Sequence, residues 1–277
     1  MACLSRREFL GLMAGAAFLS AGAAQNQPAP EVISELTRAQ KTAFLKTAKV
    51  VRSKSAPAGI TGTLRLTLSD GTLTHDASFQ SIDESKVSFQ SNLGTEMNFR
   101  DTWKFNLAAY QLDQILGLNM VPVTVERSYT GKIGSFTWWV DDVLMTETER
   151  FKKKIQPPDP ESWSHQMLIV RVFDQLIFNT DRNLGNLVID KKWQIWMIDH
   201  SRAFRMRHEL PDPKNLTRCD GVLLEQMKRL DAESLASLNK YVNKMEMQGL
   251  LKRRDKIVEF FEKRGPSVIY TSIRRPS

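Results

Sequence analysis

Two rhythms of apolar residues run along this chain, and they predict different elements in its two halves. Residues 31–54 place Val32, Ile33, Leu36, Phe44, Leu45 and Val50 at helical spacing, which predicts an amphipathic, basic helix ended by Pro57 and Gly59. Over 61–69 the period becomes two, with Leu64, Leu66 and Leu68 alternating with Thr63, Arg65 and Thr67. Asp70-Gly71 is a hairpin signal, residues 72–82 predict the returning strand, and 87–90 a third, short strand. The helical period returns over 99–117 through Trp103, Leu107, Tyr110, Leu112, Ile115 and Leu116, with Gly117 as its C-cap. Residues 121–129 and 135–144 then predict two strands around the turn Thr130-Gly131-Lys132.

Three lysines and then Pro157, Pro158 and Pro160 cannot continue either element, so residues 145–160 hold the boundary between two lobes. Beyond it, Met167, Leu168, Val170, Val172, Phe173, Leu176 and Ile177 suit a buried helix over 162–178. Two short strands follow at 187–189 and 194–198, and the pattern over 221–263 is helical again.

The first residues carry an address. Ser5-Arg6-Arg7-Glu8-Phe9-Leu10 has the twin-arginine form, followed by an uncharged, Gly- and Ala-rich stretch ending in Ala21-Gly22-Ala23-Ala24. Residues 1–24 therefore predict a twin-arginine signal peptide, with the Tat translocase as a transient partner and a periplasmic or extracellular destination. Residues 25–56 would form a linker and the N-terminal helix. No other segment is apolar enough to span a bilayer, so no transmembrane span is expected in the mature chain. Of the two cysteines, Cys3 leaves with the signal and Cys219 stays, which rules out an intramolecular disulfide. The four histidines show no zinc-ligand spacing.

The formal charge of +8 favours a polyanion such as a nucleotide or a phospholipid headgroup. Trp138, Trp139, Trp193 and Trp196 lie on predicted strands, where packing is a commoner role than base stacking; no stable nucleic-acid partner is expected. Lys152-Lys153-Lys154 and Lys252-Arg253-Arg254 read as solvated charge.

The chemistry concentrates in residues 178–204. Asp181 opens a D-R-x-x-x-N loop closed by Asn186, and a pair of short strands leads to Asp199, at the end of an apolar run. Phosphoryl transfer needs one carboxylate to orient the acceptor hydroxyl, and a carboxylate with an amide to hold Mg²⁺ against nucleotide phosphates. Asp181, Asn186 and Asp199 supply that set.

Asn179-Thr180-Asp181-Arg182-Asn183-Leu184-Gly185-Asn186 resembles the catalytic loop of phosphatidylinositol 3/4-kinases, and Ile198-Asp199-His200-Ser201-Arg202-Ala203-Phe204 resembles their metal-binding segment. Ala108-Ala109-Tyr110-Gln111-Leu112-Asp113, with Leu116-Gly117-Leu118 and Val121-Pro122-Val123-Thr124, is similar to the family's N-lobe helix and the strand after it. Gly134-Ser135-Phe136-Thr137-Trp138-Trp139-Val140 resembles the hinge strand. The resemblance spans roughly residues 99–204. It implies an α+β, two-lobed protein-kinase-like fold, with a β-rich N-lobe at 57–145 and a mostly helical C-lobe at 146–277. It also implies ATP and Mg²⁺ as cofactors, Asp181 as base or orienter, Asn186 and Asp199 as metal ligands, and adenine held by Thr137, Trp138, Trp139 and Val140. Asp113 or Glu96 would be the acidic partner within the lobe.

The chain departs from that pattern where the phosphates would sit. The strand expected to carry a lysine reads His75-Asp76-Ala77-Ser78-Phe79-Gln80-Ser81, with Gln80 in its place and Arg65 or Lys86 as substitute cations. The glycine loop is reduced to Gly59-Ile60-Thr61-Gly62, and Ser201 stands where the family has glycine. Three readings follow: a phosphotransferase acting on an unnamed hydroxyl-bearing acceptor (lipid, protein or sugar), an exported pseudokinase that binds nucleotide or a protein partner, and a basic envelope polyanion-binding protein.

Overall fold

The computed structural model of the chain describes residues 36–55, 62–91 and 94–272. The predicted signal peptide, the linker after it and all of the reduced glycine loop except Gly62 lie outside them.

The first helix is short. In α1 (Arg38–Thr47) a capping box satisfies the first turn: Gln40 N–H donates to Thr37 Oγ1 at 3.3 Å, and Thr37 N–H to Gln40 Oε1 at 2.8 Å. It ends at Ala48, so the predicted helix over 31–54 is corrected: Lys49–Ser55 forms strand β1. That strand is almost wholly exposed and its lysines and arginine face solvent, as suits the edge of a sheet. It pairs antiparallel with β2 (Leu64–Ser69), which pairs with β3 (Thr74–Gln80). The β4 (Asp83–Ser91) and β5 (Gly94–Thr102) hairpin follows, longer than the short strand expected, and it takes the first residues assigned to the next helix. That helix, α2, is Lys104–Leu116, closed by Gly117 in the left-handed region at φ 63°. Strands β6 (Thr124–Tyr129) and β7 (Lys132–Trp138) complete a five-stranded sheet in the order β1-β2-β3-β7-β6.

Alternation gives this sheet two unlike faces. Leu66, Leu68, Ala77, Phe79, Phe136 and Trp138 pack with Phe44 and Leu45 of α1 into one core. The opposite face carries Arg65, Asp76, Ser78, Gln80 and Thr137. Gly134 is required where β7 crosses β3, because a Cβ there would fall 2.2 Å from the Gln80 carbonyl oxygen.

Residues 135–144 are not one strand. The chain leaves the sheet after Trp138, and β8 (Val143–Thr146) joins a second sheet, in the order β10-β9-β8, with β9 (Leu187–Asp190) and β10 (Ile195–Met197). Helix α3 (Glu147–Lys153), absent from the sequence reading, starts at a second capping box formed by Thr146 and Glu149. Helix α4 (Pro160–Ile177) starts where Asp159 accepts from the N–H groups of Glu161 and Ser162, with Pro160 in the first turn. Beyond the second sheet, β11 (Cys219–Asp220) pairs in parallel with β12 (Ile269–Tyr270), and between them run α5 (Gly221–Lys228) and α6 (Lys244–Arg264). The helical elements share a second core, in which Phe105, Leu112 and Leu116 of α2 meet Phe173 and Leu176 of α4 and Phe261 of α6. No helix among the described residues is long and apolar enough to cross a membrane.

Two charged groups serve packing. Arg253, read as surface charge, is fully buried and donates to the carbonyls of Leu176, Arg205 and Arg207, fixing the 205–207 segment to the end of α4. Asp113 is also fully buried, and it accepts from the N–H groups of Met120 at 2.8 Å and Val121 at 3.0 Å. Burial raises its pKa to about 6, outweighing those hydrogen bonds. The folded chain thus holds a proton that the unfolded chain releases near its ordinary value. Stability falls as pH rises from about 4 through 6, by on the order of 2–3 kcal/mol from this group. Asp113→Asn is expected to remove that component, measured as the difference between wild-type and variant urea unfolding at the two ends of the window.

Candidate active site

The loop that carries Asp181 is built on a buried carboxylate. Helix α4 ends at Phe178, whose φ is 53°, and the turn brings Asn179 back onto Asp174: Asn179 Nδ2 donates to Asp174 Oδ1 at 3.0 Å. The Asp181 N–H then donates to Asn179 Oδ1 at 3.2 Å. Arg182 spans the loop. Its Nε and Nη2 grip both oxygens of Asp174 at 3.0 Å, and Nη1 donates to the Ile198 carbonyl at 2.7 Å and that of Asn186 at 3.3 Å. Its Nη2 also lies 3.0 Å from His200 Nε2; since arginine can only donate, the imidazole proton is on Nδ1. Burial, with the Arg182 charge beside it, holds the His200 pKa well below the ordinary imidazole value, so the ring is neutral. Arg182 is the brace of the loop.

Next comes a single 3₁₀ turn, Leu184–Asn186, capped by Asn183, whose Oδ1 accepts from Gly185 N–H at 2.9 Å. It delivers Asn186 to the open end of the β9–β10 hairpin. There Leu187 pairs with Met197, and the Ile198 N–H donates to the Asn186 carbonyl at 3.0 Å. Asn186 and Asp199 therefore flank the same end of one hairpin, with Asp181 on the loop that leads in. Asp199 has φ 57°, a left-handed conformation that a non-glycine residue seldom adopts and that is found preferentially at functional sites.

Gln80 reaches this end from the N-lobe sheet, where the sequence placed it. Its Nε2 donates to Thr63 Oγ1 at 3.0 Å and to Asp199 Oδ1 at 3.3 Å. Its Oε1 accepts from Asn106 Nδ2 at 2.5 Å, and Asn106 Oδ1 accepts from the His200 N–H at 2.8 Å. Where a kinase joins a strand lysine to a helix glutamate, this chain joins two neutral amides, Gln80 of β3 and Asn106 of α2. Neither acidic candidate takes that place: Asp113 caps the backbone after its own helix, and Glu96 pairs with Arg205 at 2.6 Å. Asn106 was missed because an amide in an apolar stripe carries no charge to flag it. Asn106→Ala is expected to cost about 2–4 kcal/mol, since it strands buried groups on Gln80 and His200; urea unfolding measures it.

The other predicted site residues are more dispersed. Arg65 is held by Asp76, with Nε and Nη2 each 2.6 Å from Oδ2, and its guanidinium lies 4.2 Å from the centre of the Trp139 ring. Trp138 turns its side chain to the α1 side, stacked on His75 at 3.7 Å, and its indole N–H donates to Asp141 at 2.8 Å. The backbone N–H groups of Trp138 and Trp139 donate to the carbonyls of Val123 and Asp76. Thr137 Oγ1 lies 3.0 Å from Thr124 Oγ1, and Val140 is half-buried just beyond the strand. Lys86 lies on β4 beside Glu84, 3.3 Å away, in the hairpin rather than the sheet.

Carboxylates dominate the remaining electrostatics. Partial burial raises the pKa of Asp181; Arg202 opposes that rise, and the nearby Asp199 and Asp101 carboxylates add to it. Among the described residues no cluster of three or more His, Cys, Asp or Glu is gathered for a metal. One carboxylate and one amide are nevertheless hard oxygen donors, and the excess negative charge around them suits a divalent ion whose shell is completed by phosphate and water. The donor set fits Mg²⁺.

The fold is α+β, two-lobed and protein-kinase-like, with a β-rich N-terminal and a helical C-terminal region. No protein-family model matches the chain, and no curated protein does. Solved structures do. The structure of hydra Fam20 with sugar has a TM-score of 0.58 at 16% identity, over 87% of this chain and 94% of that one. The Golgi casein kinase gives 0.54 at 14%, over 84% of this chain and 77% of that one, and its form with Mn/ADP bound gives 0.53. The Helicobacter pylori proinflammatory kinase CtkA gives 0.51 at 12%, over 79% and 96%. At these identities the likeness is one of fold.

Proposed function

We propose that the chain is an atypical kinase-like phosphotransferase that moves a phosphoryl group from ATP to a hydroxyl acceptor. The observation that carries this reading is the convergence of Asp181, Asn186 and left-handed Asp199 at one end of the β9–β10 hairpin. Asp181 orients the acceptor hydroxyl and takes its proton as the new oxygen–phosphorus bond forms and the bond to the departing ADP oxygen breaks. Asn186 and Asp199 hold Mg²⁺, which when bound neutralises charge on the phosphate oxygens. Thr137, Trp139 and Val140 border the adenine; Trp138, expected from the sequence to join them, is corrected, because its side chain packs on the α1 side of the sheet. A Golgi casein kinase of the same fold, solved with Mn/ADP, supports nucleotide and divalent metal as ligands. The motifs at 179–186 and 198–204 support placement near the phosphatidylinositol 3/4-kinase-like branch. The residues at 5–10 support twin-arginine export through the Tat translocase to the periplasm or beyond.

A second reading, a nucleotide-binding pseudokinase, is favoured by one feature, the neutral Gln80–Asn106 pair. Calorimetric titration with ATP, with and without Mg²⁺, tests what the two readings share: micromolar binding that requires Mg²⁺ is expected, and no binding at millimolar nucleotide overturns both. Turnover then separates them.

A further inference from the structure

We infer that Arg202 is the phosphate-binding cation of this site, supplying the positive charge that Gln80 cannot bring; the inference rests on the nucleotide-transfer reading above. A triphosphate held beside the Asp181 and Asp199 carboxylates gains from a cation close by, because like charges repel. The other arginines near the site are committed. Arg65 is neutralised by Asp76. Arg182 spends its donors on Asp174, two carbonyls and His200. Arg205 is 7% exposed and held by Glu96 and the Arg100 carbonyl. Two positions after Asp181 stands Asn183, which caps its own turn.

Arg202 is placed differently. Its Nε donates to Asp101 Oδ2 at 2.6 Å, and that carboxylate is buried, with Oδ1 lacking a hydrogen-bond partner. Asp101 thus serves as a fixed anchor for one edge of the guanidinium. The backbone is tied alongside it, where Thr102 N–H donates to the Ser201 carbonyl at 2.9 Å. The free end reaches toward the chemistry: Nη1 is 3.5 Å from Asp181 Oδ2, and the side chain is 33% exposed. That contact is longer than a charge-assisted hydrogen bond, which is about 2.7–2.9 Å, so phosphate oxygens can displace it. Arg202 rests against Asp181. With phosphate bound it turns to the transferred group and leaves Asp181 to the acceptor.

The test is calorimetric titration of Mg-ATP and Mg-ADP into wild type, Arg202→Gln and Arg202→Lys, with thermal unfolding of each protein. Arg202→Gln is expected to weaken Mg-ATP about tenfold or more and Mg-ADP less than about threefold, collapsing the preference for the triphosphate. Arg202→Lys keeps the charge but loses the fork, and falls between. A purely structural Arg202 would lower both affinities together. Folded Arg202→Gln with the wild-type ratio of affinities overturns the assignment. If that variant does not fold, Arg202→Lys decides: a reduced ratio supports the assignment and a wild-type ratio overturns it. Wild-type protein that binds no nucleotide removes the phosphotransferase reading and this assignment with it.

Discussion

Asp199→Ala is expected to abolish Mg²⁺-dependent nucleotide binding while leaving the chain folded. The side chain is half-exposed, and its one hydrogen bond to a neighbouring side chain is the 3.3 Å contact from Gln80, so little packing is lost with it. The backbone is the larger concern, because alanine tolerates φ 57° less well than aspartate, at a cost of about 1 kcal/mol. Asp199→Asn avoids that cost and retains the Gln80 contact, removing only the charge. Both variants should weaken Mg-nucleotide affinity about a hundredfold or more, since a hard divalent ion loses its one anionic ligand from the hairpin. Calorimetry measures the affinity, and an unchanged melting temperature for Asp199→Asn confirms that the effect is local. Near-normal affinity in a folded Asp199→Asn would show that the metal sits elsewhere.

Arg182→Ala is expected to be the most destabilising single change in the loop. Arg182 closes a ring of contacts from α4 to the hairpin, and its partner Asp174 is 8% exposed. Removing one member of a buried pair leaves a charge without compensation, at about 3–5 kcal/mol. In a chain of this size that lowers the melting temperature by about 6–20 °C. The donors that Asn179 and Arg182 direct at Asp174 are not equivalent: the Asn179 amide contacts one oxygen, whereas the Arg182 guanidinium contacts both. Arg182→Lys should therefore recover less than half of the loss, because an ammonium cannot grip the two oxygens and reach the Ile198 carbonyl together. A loss below about 1 kcal/mol for Arg182→Ala would mean that the loop is held by other contacts.

What the sequence reveals follows from how local each feature is. Asp181 and Asn186 share one loop, and Asp199 is returned to them by a hairpin of two short apolar strands, so their spacing and the motifs around them were enough to propose the set. Residues 49–55 were misassigned because Val50 was counted in the helix's apolar set, although five and six residues after Leu45 and Phe44 it falls off their face. Only pairing with β2, a contact between distant residues, makes that segment a strand. Helix α3 did have a local signal, the Thr146-x-x-Glu149 capping box, but the lysines and prolines after it masked it. Asn106 and Arg202 had no such signal. Their roles exist only once α2 meets β3 and the β4–β5 hairpin meets the segment after Asp199.

The most direct measurement is transfer of γ-labelled phosphate from Mg-ATP, to water, to the protein itself or to added hydroxyl acceptors, by wild type and by Asp181→Asn. Label transfer by wild type that falls about a thousandfold in Asp181→Asn, with nucleotide affinity unchanged, is the expected result. Transfer that survives in Asp181→Asn would contradict the assignment of this loop as the site of chemistry.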